Sequence, residues 1–132
     1  MNVLIVDDSW AMRKFIRKQI QASGAPVEEC FEADHGKQAL ETVKSRRVDM
    51  VFTDINMPEM DGVEMTRALR ADPATAAIPV VVVSSDSEFS RRQEFEPLGT
   101  MGYLEKPFTP ERLRGEVERL LGLAGLLLRV RR

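Results

Sequence analysis

Short apolar runs alternate with helical patterns five times along this chain, and this alternation most restricts the folds open to it. The clearest runs lie at residues 3–6, 48–53 and 78–83. Continuous apolar runs are typical of strands that are covered on both faces, as in a parallel sheet flanked by helices. Weaker patterns predict two further strands, at residues 27–32 and 102–105.

Between the strands, apolar residues recur at helical spacing. Strict alternation of strand and helix predicts right-handed crossovers and an α/β fold with a doubly wound parallel sheet. We expect five strands in the flavodoxin-like order 2-1-3-4-5, flanked by five helices. The helical patterns cover residues 12–20, 37–46, 62–70 and 88–96, and a fifth begins at Thr109 and Pro110, where a capping residue precedes proline.

Length, charge and composition limit the function classes. The chain has 132 residues, which leaves room for one domain of this kind. We expect that domain over residues 1–121 and a basic, Leu-rich tail over residues 122–132, either a helical extension or disordered. A net charge of −2 excludes general attraction to nucleic acid, and one Cys with one His excludes the usual zinc ligands. With no signal-peptide pattern and no apolar stretch near the ~20 residues of a membrane span, we expect a cytoplasmic protein.

Polar residues follow four of the predicted strands. Asp7 and Asp8 follow the first, Asp54 the third, Ser84 the fourth and Lys106 the fifth. The carboxyl ends of parallel strands meet at one edge of the sheet, where such folds bind their ligands. Carboxylates gathered there repel one another unless a cation compensates, and oxygen ligands without His or Cys favour Mg²⁺. The pattern therefore predicts a site for Mg²⁺ and a phosphoryl group.

Each of these residues also has a simpler explanation when it is taken alone. Asp7 and Asp8 precede a helix and could cap it. Asp54 and Ser84 could be ordinary loop residues, and Lys106 could be a solvated charge. Their position at the ends of four separate predicted strands favours a common site over four coincidences.

Four segments together resemble the receiver domain of two-component response regulators. The resemblance extends from about residue 2 to about residue 121, and its order and spacing agree with the predicted fold. The layout is similar to that of the stand-alone, single-domain chemotaxis regulators. The four segments are VLIVDDS at residues 3–9, DINMPEMDG at 54–62, VVVVSS at 80–85 and YLEKPF at 103–108.

The resemblance implies a role for each acidic residue. Asp54 matches the phosphoacceptor, which takes a phosphoryl group from a phosphohistidine on a histidine kinase or phosphotransfer protein. Asp8 matches the acid that binds Mg²⁺, and Asp7 supports the ion through water. The backbone carbonyl of Asn56 would complete the protein ligands of the ion.

The same resemblance assigns the switch residues. Ser84 matches the hydroxyl that moves to bind a phosphoryl oxygen, and Tyr103 matches the aromatic residue that swings inward with it. Lys106 matches the lysine that pairs with the phosphate, and the family has a cis peptide bond at the position of Lys106 and Pro107. Phosphorylation adds roughly −1.5 to −2 of charge and new acceptor oxygens, and Ser84 and Lys106 can bind these oxygens only by moving.

In the family, that movement alters the face formed by the fourth helix, fifth strand and fifth helix, here about residues 87–121. This face would change its affinity for a downstream effector protein, and it could also serve as a homodimer surface. Asn56 and Asp86 occupy positions that resemble rate-setting sites, where a polar amide and an acid could steer an attacking water. We therefore expect a rather short-lived phosphoryl state.

Two other function classes stay open at this point. A hydrolase of the haloacid-dehalogenase type also uses a strand-end Asp with Mg²⁺, but it needs a second Asp where this chain has Asn56. A scaffold that works without phosphorylation would not need Asp8, Asp54, Ser84 and Lys106 together. The preferred interpretation is a phosphoacceptor switch that catalyses only its own phosphorylation and dephosphorylation, and so is not an enzyme with a separate substrate.

Overall fold

A computed structural model of the protein describes residues 1–123, and residues 124–132 lie outside the described part. The predicted basic tail therefore falls almost wholly outside it and stays a prediction. Five parallel strands form one sheet in the order β2-β1-β3-β4-β5, as the sequence predicts. The strands are β1 (Asn2–Val6), β2 (Glu29–Ala33), β3 (Met50–Thr53), β4 (Val80–Ser84) and β5 (Met101–Glu105).

Within residues 1–123, four α-helices accompany the sheet, so the prediction of five is wrong by one. The segment predicted as the fourth helix, at residues 88–96, is a 3₁₀ helix at Asp86–Glu94. Phe89 and Phe95 are the only apolar residues of this segment, they are six positions apart rather than three or four, and Pro97 follows, so its sequence gives little support to a regular α-helix. The α-helices are α1 (Trp10–Ser23), α2 (Gly36–Ser45), α3 (Gly62–Ala71) and α4 (Pro110–Leu123).

The core lies on both faces of the sheet. On one face, α1 packs beside α4, and on the other α2 packs beside α3. Alternate residues of a strand point to opposite faces, so Phe52 enters the first layer and Val51 the second, both with no exposed surface. Burial on both sides explains why the strands read as continuous apolar runs. No helix within residues 1–123 is long and apolar enough to cross a membrane.

Charged side chains from the helices cover both edges of the sheet. On β5, Glu116 accepts from the Tyr103 N–H at 2.9 Å, and Arg119 donates to the Met101 carbonyl at 3.0 Å. On β2, Arg17 donates to the Cys30 carbonyl at 2.9 Å. These contacts occupy backbone groups that would otherwise pair with a strand of another chain.

Candidate functional site

Three carboxylates meet at the carboxyl ends of β1 and β3. Asp7, Asp8 and Asp54 each place an oxygen within 4.8 Å of the others. The strands bring them together because β1 and β3 are neighbours, with Val6 opposite Thr53. The Asp54 N–H also donates to the Val6 carbonyl at 2.9 Å, which holds the two strand ends together beyond the ladder. The sequence-predicted acidic residues thus form one cluster.

The three acids differ in their exposure to water. Asp7 is 2% exposed, Asp54 is half-buried and Asp8 is exposed. Burial raises the pKa of the Asp7 carboxyl, and the charge of Asp8 adds to this, whereas the hydrogen bond from the Ser9 N–H and the positive charge of Lys106 lower it. The net effect is a raised pKa, because burial and the neighbouring carboxylate outweigh the hydrogen bond and Lys106.

A hard cation fits this donor set. All three acids offer carboxylate oxygens, which are the ligands that Mg²⁺ prefers, and the exposed Asp8 leaves the cluster open to water. Asp7 is fixed from two sides, because its Oδ1 accepts from the Ser9 N–H at 2.8 Å and its carbonyl accepts from Arg13 Nη1 at 2.7 Å. The acidic residues are therefore held in place by their own backbone and by α1.

The loop between β3 and α3 folds back tightly on Asp54. Asp54 Oδ1 accepts from the Ile55 N–H at 2.8 Å, and the Gly62 N–H donates to the Ile55 carbonyl at 2.8 Å. A Cβ atom on Gly62 would collide with the Asp54 carbonyl oxygen, so only glycine permits this close approach. Asp61 and Glu64 form a reciprocal capping box at the start of α3. The loop that follows Asp54 is consequently short and well anchored.

Ser84 and Lys106 lie on the other side of β3. Ser84 ends β4, is 7% exposed, and accepts a hydrogen bond at its carbonyl from the Lys106 N–H at 2.7 Å. Lys106 follows β5, and its peptide bond to Pro107 is cis. Because Lys106 acts electrostatically on Asp7, its ammonium group belongs to the same edge as the carboxylates.

Tyr103 lies in β5 with its ring half-buried. Its hydroxyl is buried and has no hydrogen-bond partner among the described residues. The guanidinium of Arg92 covers the ring, with Cζ at 4.0 Å from the ring centroid. Burial raises the pKa of the Tyr103 hydroxyl, and the charge of Arg92 partly offsets this. Tyr103 also lines a groove that reaches Ser84 and is bordered by Arg112.

The family model for the response regulator receiver domain matches residues 3–118. This chain belongs to that family. Its relatives include the chemotaxis protein CheY of Pseudomonas aeruginosa, 36% identical over 120 residues that cover 91% of this chain and 95% of the relative. Another is CheY1 of Helicobacter pylori strain J99, 33% identical over 123 residues that cover 92% of this chain and 98% of the relative.

Solved structures agree with this assignment. CheY4 of Vibrio cholerae superimposes with a TM-score of 0.78 at 32% identity, covering 91% of this chain and 98% of that one. The receiver domain of NtrX from Brucella abortus gives a TM-score of 0.80 at 25% identity, covering 92% of this chain and 98% of that one. The predicted resemblance to single-domain chemotaxis regulators is confirmed. Receiver domains are signalling switches that use Mg²⁺ at an acidic pocket, and this chain has a cluster of three aspartates at the carboxyl ends of β1 and β3.

Sequence reasoning missed Arg91, which contacts the loop between β3 and α3. Arg91 Nη1 donates to Asn56 Oδ1 at 2.7 Å, and Nη2 donates to Asp61 Oδ2 at 3.1 Å. The partners lie 35 and 30 residues away in sequence. No local pattern marks such a contact, because it depends on how the 3₁₀ helix packs beside the loop. Arg13, which donates to the Asp7 carbonyl and pairs with Glu32 at 2.9 Å, was missed for the same reason.

Proposed function

We propose that this receiver domain accepts a phosphoryl group on Asp54 from a histidine kinase or phosphotransfer protein, in a Mg²⁺-dependent reaction. The observation that carries the proposal is the cluster of Asp7, Asp8 and Asp54, whose oxygens lie within 4.8 Å of one another at the ends of two central strands. Three carboxylates this close together repel one another when no cation is present. A bound cation removes this repulsion and can in turn bind an anionic ligand.

Each residue has a defined role in this reaction. A carboxylate oxygen of Asp54 attacks phosphorus, the bond from phosphorus to the histidine nitrogen breaks, and the freed imidazole takes up a proton. Asp8, Asp54 and the backbone carbonyl of Asn56 would hold Mg²⁺, with Asp7 acting through water. The bound ion supplies positive charge across the phosphoryl oxygens. Lys106 pairs with a further phosphoryl oxygen.

The phosphoryl group then acts as the switch. Ser84 closes on a phosphoryl oxygen and Tyr103 moves with it, because the added charge and acceptor oxygens need donors. The hydroxyl of Tyr103, which is buried and has no hydrogen-bond partner among the described residues, supports this step, since such a hydroxyl costs free energy in its present position. Movement there changes the surface formed by the 3₁₀ helix, β5 and α4, about residues 87–121, and with it the affinity for a downstream effector protein. The same surface is our candidate for a homodimer contact.

We further propose that the protein works in the cytoplasm, without nucleic acid as a partner, and that it catalyses only its own phosphorylation and dephosphorylation. The family supports a signalling switch over a hydrolase. The presence of Asn56 two residues after Asp54 also disfavours the haloacid-dehalogenase alternative, which needs an acid there. The complete acidic cluster disfavours a scaffold that works without phosphorylation.

One experiment separates these functions. The protein is incubated with Mg²⁺ and a small acyl-phosphate donor, and the intact mass is measured with time. A switch gives one phosphoryl adduct, which Asp54→Asn abolishes and Asp72→Asn, at a half-buried carboxylate at the end of α3, leaves unchanged. Continuous turnover of the donor without an adduct would indicate a hydrolase. Neither adduct nor turnover would indicate a scaffold and refute the proposal.

A further inference from the structure

Arg91 joins the loop between β3 and α3 to the 3₁₀ helix that follows β4. It donates to Asn56 Oδ1 at 2.7 Å and to Asp61 Oδ2 at 3.1 Å on the loop. From its own segment, Glu94 accepts from Arg91 Nε at 2.7 Å and from Nη2 at 3.3 Å. This two-point contact with Glu94 fixes the plane of the guanidinium, so Nη1 and Nη2 present donors to the loop.

Both loop residues that Arg91 contacts bear on the candidate site. Asn56 lies two residues after Asp54, and its backbone carbonyl is the proposed third protein ligand of the ion. Asp61 caps the start of α3, where its Oδ1 accepts from the Glu64 N–H at 2.9 Å. Arg91 therefore restrains the loop at two points, one close to Asp54 and one at the start of α3.

We infer that Arg91 is a positioning residue of the phosphoacceptor site and that it acts through the side chain of Asn56. The inference rests on the proposed function and adds a residue that sets ion affinity and phosphoryl lifetime. A restrained Asn56 keeps its carbonyl in place before the ion binds. The loop then loses less conformational freedom on binding, which favours the bound state.

The second consequence concerns hydrolysis of the phosphoryl group. In that step a water oxygen bonds to phosphorus, the bond to the Asp54 oxygen breaks, and the water releases a proton, leaving a carboxylate and inorganic phosphate. Oδ1 is the side-chain atom of Asn56 that can accept a hydrogen bond from the attacking water. Arg91 already occupies it with a charged donor at 2.7 Å. Water must compete with the guanidinium there, so Arg91 slows hydrolysis.

The test compares Arg91→Ala, Arg91→Lys and Asn56→Ala with the unmodified chain. Mg²⁺ affinity is measured without a phosphodonor through the fluorescence of Trp10, which is 65% exposed and two residues from Asp8. Arg91→Ala should bind Mg²⁺ about three- to tenfold more weakly, because the loop must now be ordered on binding. Asn56→Ala removes the same contact from an exposed position and should weaken binding to a similar extent, even if Arg91→Ala folds poorly.

Phosphoryl lifetime is measured separately, as the loss of the adduct mass after the donor is removed. Arg91→Ala should lose the phosphoryl group several-fold faster than the unmodified chain, and Arg91→Lys should recover part of the lifetime because it keeps one charged donor. In the Asn56→Ala background, Arg91→Ala should change the lifetime little further, because the contact is already absent. Arg47→Ala is the matched control, since its side chain pairs with Asp49 at the opposite end of the sheet.

The outcomes are distinct. Unchanged Mg²⁺ affinity and lifetime in Arg91→Ala would overturn the inference. An equal effect of Arg91→Ala with and without Asn56, or the same effect in Arg47→Ala, would also overturn it, because Arg91 would then act through overall charge. Absence of a phosphoryl adduct in every variant would refute the proposed function, and the Mg²⁺ measurement would still decide the role of Arg91.

Discussion

The aspartate cluster should make the protein less stable than a variant that lacks the phosphoacceptor. Asp54 has an oxygen within 4.8 Å of those of Asp7 and Asp8. At an effective dielectric constant of about 20, two unit charges at that separation repel by roughly 3 kcal/mol. Water and salt reduce this, since Asp8 is exposed and Asp54 half-buried. We expect Asp54→Asn to raise the free energy of unfolding without Mg²⁺ by about 1 to 2 kcal/mol.

Asn suits this comparison because it preserves the local hydrogen bond. Asp54 Oδ1 accepts from the Ile55 N–H at 2.8 Å, and an amide oxygen can accept the same bond. The assay is urea unfolding at low ionic strength in a metal chelator, with Asp72→Asn as the control for loss of a half-buried carboxylate outside the cluster. The control should shift the free energy of unfolding by no more than about 0.5 kcal/mol.

Salt and Mg²⁺ test whether repulsion is the cause. Added salt should narrow the difference between Asp54→Asn and the unmodified chain, because it screens the exposed part of the cluster. Saturating Mg²⁺ should reverse the difference, because an ion that binds only the folded state stabilises it by mass action. An Asp54→Asn variant that is no more stable than the unmodified chain, at low salt and without Mg²⁺, would refute the reasoning.

Three further predictions concern side chains around the site and the sheet. Tyr103→Phe removes a buried hydroxyl for which the described part of the chain offers no partner, so the free energy of unfolding in urea should rise by about 1 kcal/mol; a decrease would contradict the assigned environment. Arg70→Met should lower the free energy of unfolding by about 3 kcal/mol in the same assay, because Arg70 donates hydrogen bonds to four backbone carbonyls, those of Ala76, Ile78, Leu98 and Thr100. A change near zero would show that water hydrogen-bonds to these carbonyls instead. Burial disfavours ionised Glu116, but the hydrogen bonds from Arg119 and the Tyr103 N–H outweigh it and lower its pKa. Folding therefore favours the charged form, so Glu116→Gln should lower the free energy of unfolding by about 1 kcal/mol near neutral pH. When unfolding is measured at successively lower pH, this difference should vanish as the pH falls through the pKa of Glu116, below 4.5.

Local sequence patterns determined the sheet and the position of the acidic residues. The runs at residues 3–6, 48–53 and 78–83 place β1, β3 and β4 to within two residues at each end. They do so because a central strand of a parallel sheet is buried on both faces and must be apolar throughout. The alternation of strand and helix makes the strands parallel, and the carboxyl ends of parallel strands lie at one edge of the sheet, so Asp8 and Asp54 share that edge.

Tertiary structure alone decided the features that join distant parts of the chain. The 3₁₀ geometry at Asp86–Glu94, the contact of Arg91 with Asn56 and the cover of β5 by Glu116 all depend on packing between segments. Helical spacing is a short-range signal, and a segment with few apolar residues takes the geometry that its neighbours permit. An arginine has the same local sequence signal whether its side chain meets solvent or, like that of Arg91, an amide 35 residues away.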